Sequence, residues 1–257
     1  MIIKNGGIEG MAQQPAPANE HGLAAEVKHP RIVVAIPCYN TAPFIADIVG
    51  KARQYADEVI VVDDGSSDGT AEVAKAAGAS IVIHERNMGY GGSIRSCFSA
   101  ARQNNADILV IIDGDAQHDP MEIPSVVKPA LDGVADIVIG TRFSDIRNNM
   151  PGYRRFGIQV INLIYNLGVS VKTSDSQSGF RAYTRKALDT IEPTANGMDV
   201  SVQTLVAARR KGLRMKDVPI TCKYHSASST LHPIIHGIGV AWGVVRFRIS
   251  GCLSRKM

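Results

Sequence analysis

Two carboxylates and an amide at alternate positions, Asp113, Asp115 and Gln117, close the run Ile111-Ile112-Asp113-Gly114-Asp115-Ala116-Gln117-His118-Asp119-Pro120. The apolar stretch from Ile108 to Ile112 reads as a strand, and every second side chain along an extended chain faces the same way. If the chain stays extended past Ile112, the three polar side chains point at one spot. Converging carboxylates repel each other unless a cation sits between them, and hard divalent ions take oxygen ligands. Mg2+ in particular is usually held by one or two carboxylates together with substrate phosphates. The pattern points to a metal–diphosphate site. Taken alone, a polar turn after a buried strand accounts for it equally well.

Other polar clusters sit where neighbouring strands must end. The first strand closes in Ile36-Pro37-Cys38-Tyr39-Asn40, which offers a stacking face and an amide at the rim of a sheet, or else a tyrosine packed in the core. The second closes in Val62-Asp63-Asp64-Gly65-Ser66-Ser67-Asp68-Gly69-Thr70. Ser67 or Asp68 suits a helix N-cap, whereas Asp63 and Asp64 suit hydrogen bonds from a base edge or a ribose. After the third strand comes Arg86-Asn87-Met88-Gly89-Tyr90-Gly91-Gly92-Ser93. Glycines ahead of a helix let backbone approach a ligand, and a helix N-terminus favours phosphate. The full G-x-G-x-x-G spacing is missing, which argues against a dinucleotide oxidoreductase. Gly140-Thr141-Arg142 follows the fifth strand. Together these clusters favour the metal–diphosphate site over the turn.

The elements that must position these groups alternate. Strands are expected at Ile32–Ile36, Glu58–Val62, Ser80–His84, Ile108–Ile112 and Ile137–Ile139, with helices at Ala42–Tyr55, Asp68–Ala77, Gly92–Asn104 and Pro120–Leu131. Short, wholly apolar strands are those of a parallel sheet covered on both faces. The rhythm predicts an α/β fold: one doubly wound, mostly parallel sheet with right-handed crossovers, binding ligands at the carboxyl ends of its strands. Past Arg142 the rhythm breaks into a helix at Pro151–Leu167, a polar loop followed by Phe180–Tyr183, a helix at Asp199–Lys211, two short strands either side of Pro219, and an apolar segment Leu231–Ile249. Domain bounds follow: a flexible tail over 1–29, in which Met11 could equally be the start, one domain over 30–230, and an apolar and basic C-terminal helix over 231–257.

Composition excludes several classes. A net charge of +4 over 257 residues is too mild to argue for nucleic acid, and none is expected as a partner. Cys38, Cys97, Cys222 and Cys252 are widely spaced, so they read as reduced thiols without a disulfide framework or zinc site. No segment reaches the roughly 20 apolar residues that span a bilayer. Pro151–Leu167, which opens with Tyr153-Arg154-Arg155, and Leu231–Ile249, which is followed by Arg255-Lys256, each pair apolar with basic residues. Both fit a helix lying at a membrane surface, or a helix packed on the sheet.

Pro37-x-Tyr39-Asn40, Val62-Asp63-Asp64-Gly65-Ser66-x-Asp68-Gly69-Thr70, Asn87-x-Gly89-x-Gly91 and Asp113-x-Asp115-x-Gln117 together resemble glycosyltransferase family 2, over roughly Arg31 to Arg185. Gly140-Thr141-Arg142 and Asp175-x-x-Ser178-Gly179-Phe180-Arg181 resemble its dolichol-phosphate, or polyprenyl-phosphate, sugar synthase branch. The resemblance implies a GT-A fold, a GDP- or UDP-linked sugar donor, Mg2+ or Mn2+, and inversion at the anomeric carbon. It further implies that Pro37, Tyr39, Asn40, Asp63, Asp64, Asp113 and Gly114 hold the nucleotide sugar, and that Asp113, Asp115 and Gln117 hold the metal. Arg142, Arg154, Arg155 and Lys223 would meet the acceptor phosphate, while Asp175, Arg181 and Arg142 would serve the reaction centre. Thr41 stands where many members carry Glu. Lys223-Tyr224-His225-Ser226-Ala227-Ser228-Ser229-Thr230-Leu231 replaces the branch's Arg-x-x-Gly-x-Ser-Lys clamp.

Acceptor chemistry divides the expectations. A sugar hydroxyl needs a general base, for which Asp175 is the candidate. A lipid monophosphate, with a second pKa of about 6, is largely dianionic at neutral pH and needs positioning by cations instead; guanidinium groups bind it in a fork. The leading expectation is metal-dependent transfer to polyprenyl or dolichyl phosphate by an enzyme attached peripherally to the cytoplasmic face of the membrane. The alternative is transfer to a saccharide hydroxyl in polysaccharide or glycoprotein glycan synthesis. A nucleotide-sugar pyrophosphorylase would want a Gly-rich basic loop after the first strand, and Ile36–Phe44 is not one.

Overall fold

Both faces of the first strand are buried, which is why its sequence carries no polar alternation. In β1 (Ile32–Cys38), Val33 and Ala35 enter one hydrophobic cluster while Val34, Ile36 and Cys38 enter another on the opposite face. The same holds for β2 (Glu58–Asp63) and β4 (Ile108–Ile111); β3 (Ser80–Ile83) is more exposed. The structure, a computed structural model, describes residues 29–142, 152–167 and 172–223. The expected tail, the C-terminal apolar segment and nearly all of the loop after Lys223 lie outside the described residues.

Helices α1 (Ala42–Ala52), α2 (Thr70–Ala76) and α4 (Ile123–Leu131) cover one face of the sheet. On the other lie α3 (Tyr90–Gln103), α5 (Gly152–Asn166), α6 (Arg185–Thr190) and α7 (Val200–Arg210). With β5 (Ile137–Thr141), β6 (Arg181–Thr184) and β7 (Met215–Pro219), the seven strands run in the order β3-β2-β1-β4-β6-β5-β7. β1 pairs in parallel with both β2 and β4. The chain leaves β1 toward β2 and leaves β4 toward β5, in opposite directions along the sheet, so the connections leaving β1 and β4 diverge. That divergence opens a crevice at the carboxyl ends of the strands.

The sheet is mostly parallel, as expected, with one exception: β6 is antiparallel to both its neighbours, with Ile111 opposite Arg181 and Ile139 opposite Arg181 across the two ladders. A four-residue strand that follows β5 in sequence yet lies between β4 and β5 leaves no mark on the β-α rhythm. One expectation needs correction: among the described residues one strand rather than two forms around Pro219, and β7 ends on that residue. Proline cannot donate to a ladder and is tolerated here because β7 is the sheet edge. Beyond it, among the described residues, an isolated bridge joins Cys222 to His118.

Candidate active site

Four loops meet over the carboxyl ends of β1, β2, β4 and β5, and the two on the β1–β2 side are stapled together. Asn40, at φ 54°, donates its N–H to Ser66 Oγ at 2.9 Å and accepts the Ser67 N–H on Oδ1 at 3.0 Å. Asn and Asp tolerate this left-handed backbone better than bulkier residues. Thr41 and Ala42 donate N–H bonds to Thr70 Oγ1 (2.8 Å) and Asp68 Oδ2 (3.0 Å). Tyr39 is left half exposed at the rim, with its ring available for stacking. Pro37 lies within β1, where its carbonyl accepts the Gly114 N–H at 3.3 Å; a Cβ on Gly114 would sit 2.5 Å from Cys38 Sγ. Gly114 thereby seats the β4 loop directly on β1.

The acidic pair at the tip of β2 faces its own loops. Asp63 accepts the Ser66 N–H at 3.0 Å. Asp64 turns toward the β3–α3 connection, accepting N–H bonds from Met88 (2.8 Å) and Gly89 (2.9 Å), with His84 Nδ1 2.6 Å away. A neutral ring that donates from Nδ1 accepts at Nε2, and Ser96 Oγ lies 2.8 Å from that nitrogen. The close approach that Gly91 permits is to another part of the chain. A Cβ there would meet Ala195 O at 2.1 Å, and the Gly91 N–H donates to Asn196 O at 3.0 Å.

Alternation along an extended chain extends only as far as Asp113. The chain then turns, and Ala116 adopts φ 59°, a conformation that costs a non-glycine residue on the order of 1 kcal/mol. Asp115 and Gln117 face each other across this turn: Asp115 Oδ1 accepts the Gln117 N–H at 3.1 Å and Oδ2 accepts Nε2 at 2.7 Å. Asp113 points toward α3, where its Oδ1 accepts the Tyr90 hydroxyl at 3.1 Å, and its carboxylate fills the place of a side chain on Gly179. Burial first, and the charge of Asp115 second, hold the Asp113 carboxyl above its ordinary range. A divalent cation would relieve that repulsion, and carboxylate oxygens are the donors such a cation takes. Among the described residues no three His, Cys, Asp or Glu side chains converge into an all-protein cage. Two carboxylates completed by phosphate oxygens is a coordination that Mg2+ accepts.

Arg142 and Asp175 form one unit beside this pair. Asp175, fully buried, accepts Arg142 Nε at 2.7 Å and Nη2 at 2.8 Å, the Arg142 N–H at 3.2 Å and the Gln177 N–H at 3.3 Å. Arg181 is also buried. It donates from Nη1 to Ser201 O (2.7 Å) and Thr204 Oγ1 (3.1 Å), and from Nη2 to Ser176 O (2.8 Å). Lys223 is exposed, and its N–H bonds to Gln117 O at 2.8 Å, bringing it beside the acidic turn. Arg154 and Arg155 fall in the first turn of α5, and their side chains lie outside the described residues.

Sequence reasoning missed Tyr90, Gly179, His84 and His118. His118 is buried against the Phe180 ring, with centroids 5.7 Å apart, and its Nδ1 has no partner among the described residues. Burial first, and the Arg142 charge second, push its pKa down to about 3, so the ring is neutral. A polar residue closing an apolar strand was a usable signal for His84. Nothing in the sequence announces that Gly179 makes room for a carboxylate sixty-six positions earlier.

A family model described as glycosyl transferase family 2 matches residues 33–192. An undecaprenyl-phosphate mannosyltransferase of Micrococcus luteus is 30% identical over 74% of this chain and 83% of its own length. A UDP-N-acetylglucosamine–dolichyl-phosphate N-acetylglucosaminyltransferase of Methanococcus voltae is 29% identical over 75% of this chain and 86% of its own. Among solved structures, a glucosyl-3-phosphoglycerate synthase from Mycobacterium tuberculosis crystallised with Mn2+, UDP-glucose and phosphoglyceric acid has a TM-score of 0.65. At 22% identity, covering 87% of this chain and 80% of that one, it is a likeness of fold.

Proposed function

The chain belongs to glycosyl transferase family 2, and from that premise we propose that it transfers a sugar from a UDP- or GDP-linked donor to polyprenyl or dolichyl phosphate, with Mg2+ or Mn2+. The observation that carries the acceptor class is the state of Asp175. Its carboxylate accepts four hydrogen bonds, two of them from the Arg142 guanidinium. Both of its oxygens are engaged by Arg142 and Gln177, which leaves a hydroxyl nucleophile without the base it would need. A phosphate dianion needs none. The named activities of the Micrococcus luteus and Methanococcus voltae relatives support the same class.

Roles follow from position. Tyr39 and the stapled loops around Asn40 and Asp63 receive the nucleoside, with Asp64 fixing the β3–α3 loop beside them. Asp113 and Asp115 hold the cation, and Gln117 orients Asp115. When bound, that cation supplies Lewis-acid neutralisation of the leaving diphosphate. Arg142, oriented by Asp175, meets the acceptor phosphate, joined by Lys223 and by Arg154 or Arg155. An acceptor oxygen bonds to the anomeric carbon as the bond to the diphosphate oxygen breaks, and the electron pair leaves on the nucleoside diphosphate. Attack opposite the leaving group inverts the configuration. Arg181 secures the Ser176 carbonyl and α7 behind this site, with no reacting atom of its own to touch.

A lipid acceptor requires a surface. No helix among the described residues is long and apolar enough to cross a membrane. The outer face of α5 exposes Val160 and Leu163, with Leu167 just beyond, and the Tyr153-Arg154-Arg155 start supplies basic residues for anionic headgroups. Peripheral attachment to the cytoplasmic face fits this arrangement. The deciding experiment incubates the purified protein with Mn2+ or Mg2+, a panel of UDP- and GDP-sugars, and polyprenyl phosphate or free sugars. Metal-dependent product on the lipid phosphate, abolished in Asp115→Ala, is the expected result; product on free sugars alone would overturn the acceptor assignment.

A further inference from the structure

On its inner side α5 carries two asparagines one helical turn apart, and both grip the backbone of the loop that bears Asp175. Asn162 is buried; its Nδ2 donates to Ser174 O at 2.5 Å, and its Oδ1 accepts the Ser176 N–H at 2.9 Å and the Ser176 hydroxyl at 2.7 Å. Asn166 treats Thr173 as a neighbouring strand would, donating from Nδ2 to its carbonyl at 2.8 Å and accepting its N–H on Oδ1 at 3.2 Å. Residues 173–178 belong to no helix or strand, so their buried peptide groups must find such partners, at about 1–3 kcal/mol for each one left unmade. Asp217 fastens the loop from the β7 side, accepting Thr173 Oγ1 at 2.8 Å and the Ser174 N–H at 2.7 Å.

Between these attachments stands Asp175, and from Asp175 hangs the Arg142 guanidinium. We propose that Asn162 and Asn166 are positioning residues for the transfer reaction. They fix the loop at 173–176, and thereby the Asp175 carboxylate that aims Arg142 at the acceptor phosphate. The proposal rests on the reading of Arg142 as an acceptor-phosphate group. Asparagine suits the task because it is the shortest side chain with both an amide donor and a carbonyl acceptor. Alanine removes both, and aspartate removes the donor and sets a charge against the Ser174 carbonyl. A reacting group displaced by about 1 Å loses on the order of 100-fold in rate.

The test uses the full chain bearing Asn162→Ala or Asn166→Ala, with Ser176→Ala as a milder variant that deletes only the hydroxyl contact. Asn104→Ala, which removes an amide bonded to Ala100 O on α3, is the control for generic loss of a helix-end contact. Two readouts are taken. Hydrogen exchange at the Arg142 amide, which bonds to Asp175 and to neither asparagine, reports whether Asp175 has moved. Steady-state rates report the split between substrates. Faster exchange at Arg142 by tenfold or more, with acceptor kcat/KM lowered about 10- to 100-fold and donor KM within twofold of wild type, is expected for Asn162→Ala and not for Asn104→Ala. Unchanged exchange at Arg142 overturns the proposal whatever the rates do, as does an equal loss in Asn104→Ala. If exchange accelerates but the wild-type chain transfers to no phosphate acceptor, the coupling stands and the acceptor reading falls.

Discussion

Gly179→Ala should disable the proposed metal-binding pair without removing a polar atom. A Cβ built on Gly179 lies 1.9 Å from Asp113 Oδ2, 2.5 Å from its Cγ and 2.6 Å from Oδ1, where ordinary contact begins near 3.4 Å. The nearer oxygen must therefore retreat by about 1.5 Å. Gly179 has no left-handed φ, so alanine is not strained by its backbone there and the effect is purely steric. The carboxylate yields more easily than β6, which begins two residues on, so the fold should lose only about 1 kcal/mol, at the low end for overpacking. Catalysis should lose much more. A displacement beyond 1 Å in a reacting group costs roughly 100-fold, or about 2.7 kcal/mol in barrier. Calorimetric titration of Mn2+ in the presence of UDP, beside initial rates and a melting curve, separates these effects. A folded variant that keeps Mn2+ affinity and rate within threefold of wild type would refute the placement of Asp113 as a ligand.

Three further outcomes are expected. Arg142→Ala should raise the acceptor KM by tenfold or more while leaving the donor KM nearly constant; equal effects on both would remove Arg142 from the acceptor site. Leu163→Glu, at a position 65% exposed on α5, should leave the melting temperature within a degree or two and abolish co-sedimentation with anionic vesicles, and retained binding would take α5 away from the membrane. Asp136→Asn should destabilise the fold in a pH-dependent way. The Arg214 guanidinium, helped by the Arg214 N–H and by Lys186, lowers the Asp136 carboxyl from 3.8 to about 2. Because the folded pKa is depressed, the stabilisation is full above about pH 4 and drains away as pH falls through about 2. It amounts to about 1–2 kcal/mol after allowance for the exposed Arg214 partner. Denaturant melts of the two proteins should differ at pH 7 and converge near pH 2; a constant gap would place the effect elsewhere.

The strand ends were legible because each is an apolar run broken by groups that a buried strand excludes. β1 to β5 form where the apolar residues fall, and Asp113, Asp115 and Gln117 stand at the tip of β4 as their spacing suggests. The geometry within that cluster was not legible. A left-handed Ala116 reverses the alternation that an extended chain would impose, and nothing in the residue type signals it. Contacts around the proposed acceptor side join residues far apart in sequence, such as Arg142 with Asp175 and Asn162 with Ser176. Local periodicity carries no information about them. Gly91 and Gly179 show the same limit from the other direction: each glycine makes room, but the sequence does not say for what.

The antiparallel β6 has a consequence for how the chain is made. β3, β2, β1 and β4 are complete once residue 111 has been synthesised, yet β4 then ends as an open edge. β5 emerges next without a partner in that sheet, because its ladder neighbours β6 and β7 lie between 181 and 219. Unpaired edges are the surfaces through which nascent chains aggregate or pair wrongly. The last element to join the middle of the sheet also carries Phe180 and Arg181, and its arrival brings Gly179 against Asp113. A ribosome-bound chain thus acquires its proposed cation site late, in the same event that seals the sheet, and a chain released before that point has the β1–β2 loops in place without the contact of Gly179 against Asp113.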